Sequence, residues 1–338
     1  MCNGRALVVL VGFVFVLASV CIIPMPATAQ KIVVKFGHVG EITHPYEMTG
    51  KKFKELVETR TNGRVEVNTF PAGQLGNERV MLEGVQLGTM ETGILSSGSL
   101  ANFVPQVAVL DLLYLFKDVD EMMKVIDGPV GQELAKLMSN AGIRKVAPLR
   151  LDSRNVYSNK EIRTPADIKG MKIRTMENPA HLAGFKAIGA NPLPMAFGEL
   201  YTALQQKTVD GAENGIDFYY ASKHFEVARI MSLTNHVYTV QQFVASEKAL
   251  AKMPPDIQKV VVDSGKEAIG ILNKDLFPKY LAESIKNLEA KGVKIVKVND
   301  VAAFRDLAKV TWLDMAKKIN GGPELVRKIS DQTGVKIN

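Results

Sequence analysis

Only two cysteines occur in the 338 residues, Cys2 and Cys21, and both fall in the opening segment of the chain. That segment carries one positive charge, Arg5, ahead of an uncharged apolar stretch from Ala6 to Ile23, followed by Pro24, Pro26 and the triplet Ala27-Thr28-Ala29. A positive start, an apolar middle and an A-x-A exit form the pattern of a cleaved secretory signal, with the cut before Gln30. A retained anchor is the competing reading, because the apolar run approaches the roughly 18 residues at which spanning becomes possible. Lipidation of Cys21 is a third reading, disfavoured by the bulk of the preceding Val20. Removing residues 1–29 from 338 leaves 309 residues with no thiol, so the mature chain would have no disulfide and would be held by its core alone. A core of that size is feasible, and a chain of this length more often divides into two domains than packs around one centre.

Catalytic and cofactor motifs are scarce as well. The five histidines, His38, His44, His181, His224 and His236, include no H-E-x-x-H pair, and a zinc site would have to rest on scattered ligands. The serine-rich stretch SSGSLANF lacks the G-x-S-x-G elbow, no glycine cluster has P-loop spacing, and no G-x-G-x-x-G follows a strand. We therefore expect no metal, no cofactor and no enzymatic activity, a periplasmic enzyme acting on organic acids being the less favoured of two alternatives. The net charge of +7 falls to about +6 once Arg5 is removed, and the positive residues are scattered among acids rather than grouped in a basic block. This excludes a nucleic-acid stripe and favours an anionic partner only weakly.

What the chain does carry is alternation. KIVVKFG reads as a buried strand; Pro45 then opens a helix that runs to Thr61 and is stopped by Asn62-Gly63. RVEVNTF alternates as a half-buried strand, and PAGQLGN leads into a helix from about Asn77 to Leu87. METGIL, RKVAPLR, NVYS, MKIRTM, TVDGAE and QQFVAS are further strands, interleaved with helical stretches such as DVDEMMKVI and GQELAKLMSNAG. The pattern predicts an α/β architecture with largely parallel sheets. Thr164-Pro165-Ala166-Asp167 opens a short helix, with Thr as N-cap and Pro at the first helical position. The longest helical pattern, Pro254 to Ala290, has Pro278 inside it, where a kink is expected, and is long enough to cross between domains. VAAFRDLAKVTWLDMAKKI is amphipathic, and its Trp312 reads as a packing residue.

Two arginines sit where strands end. Arg174 closes the strand of GMKIRTMENPA ahead of a helix begun by Asn178-Pro179, and Arg154 lies in LRLDSRN between two strands. A guanidinium presents a rigid fork of donors that matches a carboxylate and keeps its charge at any relevant pH, so either arginine can anchor an acid. A surface arginine or a structural ion pair is the alternative for each.

The stretch PADIKGMKIRTMENPAHLAGFKAIGANPLPMAFGELYTALQQKTVDGAENG strongly resembles the solute-binding subunits (DctP family) of the tripartite ATP-independent periplasmic (TRAP) transporters. FGHV, FPAGQLGNERVMLEGVQLGTMETG and KHFEVARIMSLTNHVYTVQQFVAS extend the likeness over most of the mature chain. The resemblance implies a two-lobed Venus-flytrap fold with a long kinked helix spanning both domains. Domain I would take residues 30–151 plus 241–278, and domain II residues 152–240 plus 279–338. It implies that Arg174 grips the ligand carboxylate, with Arg154, Asn214 and Phe197 beside it. Glu78, His38 and Gln241 would face them from the other lobe, and His44 would contact ligand or cap a helix. It further implies a periplasmic protein that hands an organic acid to the small and large integral membrane subunits of a transporter. A sensing module that presents its ligand to a receptor is the alternative. The family takes dicarboxylates, sialic acid, 2-oxo acids and uronic or other sugar acids; the polar GHVGEITHPYE segment inclines the reading toward a hydroxylated acid such as a uronate.

Overall fold

The computed structural model describes Met1 and residues 31–337; residues 2–30, which hold both cysteines and nearly all of the segment expected to be a secretory signal, lie outside the described residues. Eleven strands are found among the described residues. They are β1 (Ile32–Gly37), β2 (Val65–Phe70), β3 (Thr92–Ser96), β4 (Ile143–Leu149), β5 (Arg154–Ser158) and β6 (Lys172–Thr175), then β7 (Asn191–Pro194), β8 (Gly211–Asn214), β9 (Ile230–Val237), β10 (Gln241–Ser246) and β11 (Lys294–Lys297). They form two sheets, ordered β2-β1-β3-β10-β4 and β11-β9-β5-β8-β6-β7.

The two sheets share one design. Strands that continue a β-helix-β progression pair in parallel, as β1 does with β2 and β3 and β6 does with β7 and β8. The strand that enters each sheet straight from the other sheet runs against its neighbours: β5 is antiparallel to β8 and β9, and β10 to β3 and β4. The two crossings lie side by side, since Arg154 pairs with Val237 and Gln241 with Leu149. Three strands carry no clear sequence signal. In β7, Pro192 and Pro194 conceal it, and the strand occupies the sheet edge, where a missing N–H costs no ladder bond. Strand β11 is the short opposite edge, and β9 lies in a stretch with no turn residues to mark its ends.

Local chemistry accounts for the helices that flank the site. Helix α1 (Pro45–Arg60) begins at Pro45, with the His44 side chain accepting from the Tyr46 N–H as N-cap. Helix α2 (Glu78–Leu87) is capped by Asn77, whose side chain accepts from the Val80 N–H, and ends on Gly88 at φ 79°. Thr164 and Asp167 complete a capping box at the helix Pro165–Ile168. The long helical pattern is interrupted between Pro255–Ile271 and Phe277–Ala290 by a π-type segment, Leu272–Leu276, just ahead of Pro278. A proline has no N–H for the preceding turn, and widening that turn is how the helix absorbs the loss. The first half packs on α1 and β4, and the second on the helix Ile216–Ala221 beside the second sheet, so one rod serves both.

Three apolar clusters hold the structure. Phe36, Phe53 and Phe243 form the centre of the first, with ring centroids 5.0–5.8 Å apart beneath α1 and the long helix. Tyr157, Leu200, Tyr219 and Leu288 lie in the second, on the second sheet. The third and largest joins residues of both sheets with the segment 97–140 and the C-terminal helices. There the helix Gly322–Thr333 packs on the helices Val119–Asp127 and Pro129–Asn140, so the end of the chain returns to the side of the first sheet. Trp312 is fully buried in this cluster, its Nε1 donating to the Leu113 carbonyl at 2.9 Å, in keeping with a packing role. No helix of the described residues is long and apolar enough to cross a membrane.

Phe243 is fully buried at the centre of the first cluster, against Phe36 and Phe53, so Phe243→Ala is expected to cost about 3–5 kcal/mol of stability. Urea titration with an unchanged m-value checks this; a loss below about 1 kcal/mol would mean that the ring is not a core residue.

Candidate functional site

A cavity of about 720 Å³ opens between the two sheets, at the ends of β5, β6, β8 and β10 and the start of α2. Arg174 is the last residue but one of β6, in register with Leu193 of β7, and its guanidinium is buried at the cavity wall. Nε donates to the Met195 carbonyl at 3.0 Å and Nη2 to the same oxygen at 2.5 Å. Nη1 donates to no protein atom, and no carboxylate lies within 4.0 Å of the guanidinium among the described residues. Its pKa is drawn down by burial, offset in part by the more distant Glu213. The Phe197 ring lies 5.9 Å from the Arg174 Cζ and forms the adjoining wall.

Arg154 stands beside it under a different constraint. Nε and Nη2 grip the carboxylate of Glu213, Nη2 reaches Oε1 at 2.8 Å, and Nη1 donates to the Asn214 Oδ1 at 2.8 Å. Burial disfavours charge on Arg154, but Glu213 outweighs it and raises the pKa. For Glu213, burial acts upward, yet Arg154, His181 and His236 hold the carboxyl well below its ordinary range. Arg154 is thus neutralised within the protein, whereas Arg174 is not. Asn214 lines the cavity and accepts on Oδ1 from Arg154 and from the Gly215 N–H, while its Nδ2 donates to no protein atom among the described residues.

Acceptors gather on the opposite wall. Glu78, the first residue of α2, accepts from the Ser96 N–H at 3.1 Å, the Ser99 hydroxyl at 2.6 Å and the Ser96 hydroxyl. Gln241, the first residue of β10, is 5% exposed, and its Oε1 finds no donor. Both line the cavity. Six of the seven residues expected at the site, Arg174, Arg154, Asn214, Phe197, Glu78 and Gln241, therefore meet around one space.

His38 does not join them. Strand parity turns its ring to the same face as Phe36, beneath α1, where its centroid is 5.7 Å from Phe36 and 5.9 Å from Tyr46. Its Nε2 lies 3.2 Å from the Glu47 carboxylate, and burial lowers its pKa despite that partner. The expectation that His38 meets ligand is thus corrected by the two-residue period of β1. His44 caps α1 as foreseen and also bridges to Asp217 Oδ2 at 3.2 Å. Sequence reasoning missed Glu213, Ser96, Ser99 and His224. Glu213 adjoins Asn214 in DGAEN, but the partner it neutralises lies 59 residues away. His224 sits in the cavity wall, its Nδ1 2.9 Å from the Tyr157 hydroxyl. Among the described residues no group of three or more His, Cys, Asp or Glu side chains is arranged to hold a metal ion.

Burial, then Arg174, lowers the His224 pKa from 6.5 to about 3. The unfolded chain takes up this proton near pH 6.5 while the folded chain does not, so acidification from 6.5 toward 3 withdraws stability. The slope from this one group is at most about 1.4 kcal/mol per pH unit. Denaturant titrations across that range should show a shallower loss in His224→Gln than in the wild type; equal slopes would mean that the imidazole is already charged in the fold.

Comparison with known proteins agrees with this arrangement. Residues 36–319 match the family described as bacterial extracellular solute-binding protein, family 7. The 2,3-diketo-L-gulonate-binding periplasmic protein YiaO of Escherichia coli is 32% identical over 88% of this chain and 91% of its own. A TRAP periplasmic solute-binding protein from Polaromonas sp. JS666, bound to D-erythronate, superposes with a TM-score of 0.84 at 35% identity, covering 91% of this chain and 100% of that one. Another, from Sulfurospirillum deleyianum with bound succinate, gives 0.82 at 32% identity over 89% and 98%.

Proposed function

The chain belongs to family 7 of the bacterial extracellular solute-binding proteins and is a TRAP-transporter solute-binding protein of two-lobed α/β fold, and from that premise we propose that it captures a hydroxylated organic acid on Arg174. The observation that carries the proposal is the contrast between its two buried arginines. Arg154 has its counter-ion in Glu213, while Arg174 has only one carbonyl and a free Nη1. A buried cation without a counter-ion is costly, and a ligand carboxylate supplies what is missing, with Asn214 Nδ2 as a further donor and Phe197 as an apolar wall.

The opposite wall sets the rest of the ligand. The Glu78 carboxylate offers an acceptor, which suits hydroxyl donors and repels a second carboxylate. A sugar acid with one carboxylate therefore fits better than a dicarboxylate. This agrees in kind with the diketogulonate of YiaO and the erythronate of the Polaromonas protein, though not with the succinate of the Sulfurospirillum protein.

The lobes in this reading are residues 30–151 with 241–278, and 152–240 with 279–338, the helix Gly322–Thr333 folding back onto the first. The acid docks on Arg174, the lobes close about the paired crossings near Leu149 and Gln241, and Glu78 completes its contacts in a water-poor cleft. Those added contacts favour the closed form. The protein acts in the periplasm after loss of residues 1–29, without catalysis or cofactor, and delivers the acid to the small and large integral membrane subunits of its transporter.

Arg174→Ala is expected to weaken binding of the acid by about 2–5 kcal/mol, and Arg174→Lys to remain impaired because one ammonium cannot replace the fork. Isothermal calorimetry with an acid selected by thermal shift measures both, and unchanged affinity in Arg174→Ala rejects the site. Glu78→Ala should cost a hydroxylated acid about 1.5–3 kcal/mol while tightening succinate, whose second carboxylate it no longer repels. Equal losses for the two ligands would remove Glu78 as the determinant of selectivity.

A further inference from the structure

A second cavity, of about 520 Å³, lies apart from the cleft. It is bounded by the segment Tyr114–Lys117, by Asn235 and Tyr238 at the end of β9, and by the helix Val301–Lys309 with Trp312. Its volume falls within the roughly 300–1,000 Å³ of sites that take small ligands. The charges that line it are mainly positive, Lys117, Arg305, Lys309 and Lys336 with the acid Asp306, while Asp152 and Asp118 lie near enough to act on Tyr238 at its edge. Lys117 lies 4.0 Å from Glu121, and among the described residues the other three have no carboxylate oxygen within that distance.

The interior is aromatic. Trp312, Phe116 and Tyr114 are each at most 6% exposed, and Tyr238 adds a half-buried ring. The Tyr114 hydroxyl is buried and meets no partner among the described residues, and burial raises its pKa, so it stays protonated as a donor. An orphaned buried donor calls for an explanation, and in a cavity wall a ligand acceptor is one. The backbone here is also unusual. Tyr114 and Asn235 take φ of +61° and +46°, and the Tyr114 N–H donates to the His236 carbonyl at 2.6 Å. Bulky residues hold left-handed conformations only where their surroundings over-determine them, and such residues gather at binding and switch segments.

We propose that this groove is a second ligand site, selective for a small organic anion with an aromatic body: the ring packs against Phe116 and Tyr238 with the buried Trp312 behind them, and the anionic group is held by Arg305 and Lys309 with the Tyr114 hydroxyl as a neutral donor. It is separate from the cleft and stands whether or not Arg174 binds the transported acid.

Trp312 is the only tryptophan in the chain, so its fluorescence reports on this groove directly. Phenylacetate serves as the probe, phenylacetamide as its uncharged counterpart and sulfate as an anion without a ring. Titration of the intact protein with phenylacetate should give a saturable change in Trp312 emission. Affinity should fall at least tenfold, equivalent to about 1.4 kcal/mol, in the double variant Arg305→Glu with Lys309→Glu, and should persist in Arg174→Ala. Tyr114→Phe, which keeps the ring, should weaken it less. A response that never saturates in the millimolar range overturns the proposal, as does an equal response to phenylacetamide or to sulfate, or its loss in Arg174→Ala. Thermal melting of the double variant separates lost binding from lost folding, because both substituted side chains lie outside the apolar clusters.

Discussion

Two buried guanidiniums, at the start of β5 and near the end of β6 on either side of β8, line one cavity, and they differ in how each is neutralised. Removing a charge from water costs several kcal/mol unless a partner replaces the lost solvation. Glu213 provides that partner for Arg154 and is itself braced by His236 at 3.2 Å, so this side of the site is complete within the protein. Arg174 leans on one backbone oxygen and an aromatic ring, which orients its fork without satisfying its charge. In the proposed function the fully paired arginine is the scaffold, and the under-paired one is where the ligand anion docks.

That arrangement depends on the topology of the two sheets. Arg154 begins the first strand of the second sheet and Gln241 the return strand of the first, so the crossings themselves deliver polar groups to the space between the sheets. Antiparallel pairing of β5 with β9 and of β10 with β4 keeps the crossings adjacent. The long helix, broken by its π-type segment ahead of Pro278, packs on both sides of the same divide. The large apolar cluster shared with the C-terminal helices ties the far side together, and it also frames the aromatic groove around Trp312.

Much of the fold was legible from side-chain patterning. The strands in KIVVKFG, RVEVNTF, METGIL, RKVAPLR, MKIRTM and QQFVAS appear where alternation or β-branched runs put them, because burial on one or both faces writes itself into the period. Strand β7 was hidden by its prolines, and the return of the helix Gly322–Thr333 to the first sheet leaves no local trace. At the cleft, Arg174 and Asn214 could be named from ordered motifs, whereas His38 was misassigned because a polar residue near the chain start says nothing of which strand face it occupies.

The amino-acid order by itself determined the alternating α/β pattern, the capped starts of α1 and α2, the interruption near Pro278 and the resemblance that identifies the family. All of these rest on short-range physics or on long ordered motifs. Only the tertiary structure decided which arginine is paired and which is free, since Glu213 meets Arg154 across 59 residues of chain. It alone showed that Ser96 and Ser99 hold Glu78, that His38 faces Glu47, and that scattered lysines and arginines gather around one tryptophan. Charge compensation is a property of distances in space, and distances between remote residues are set when the sheets assemble.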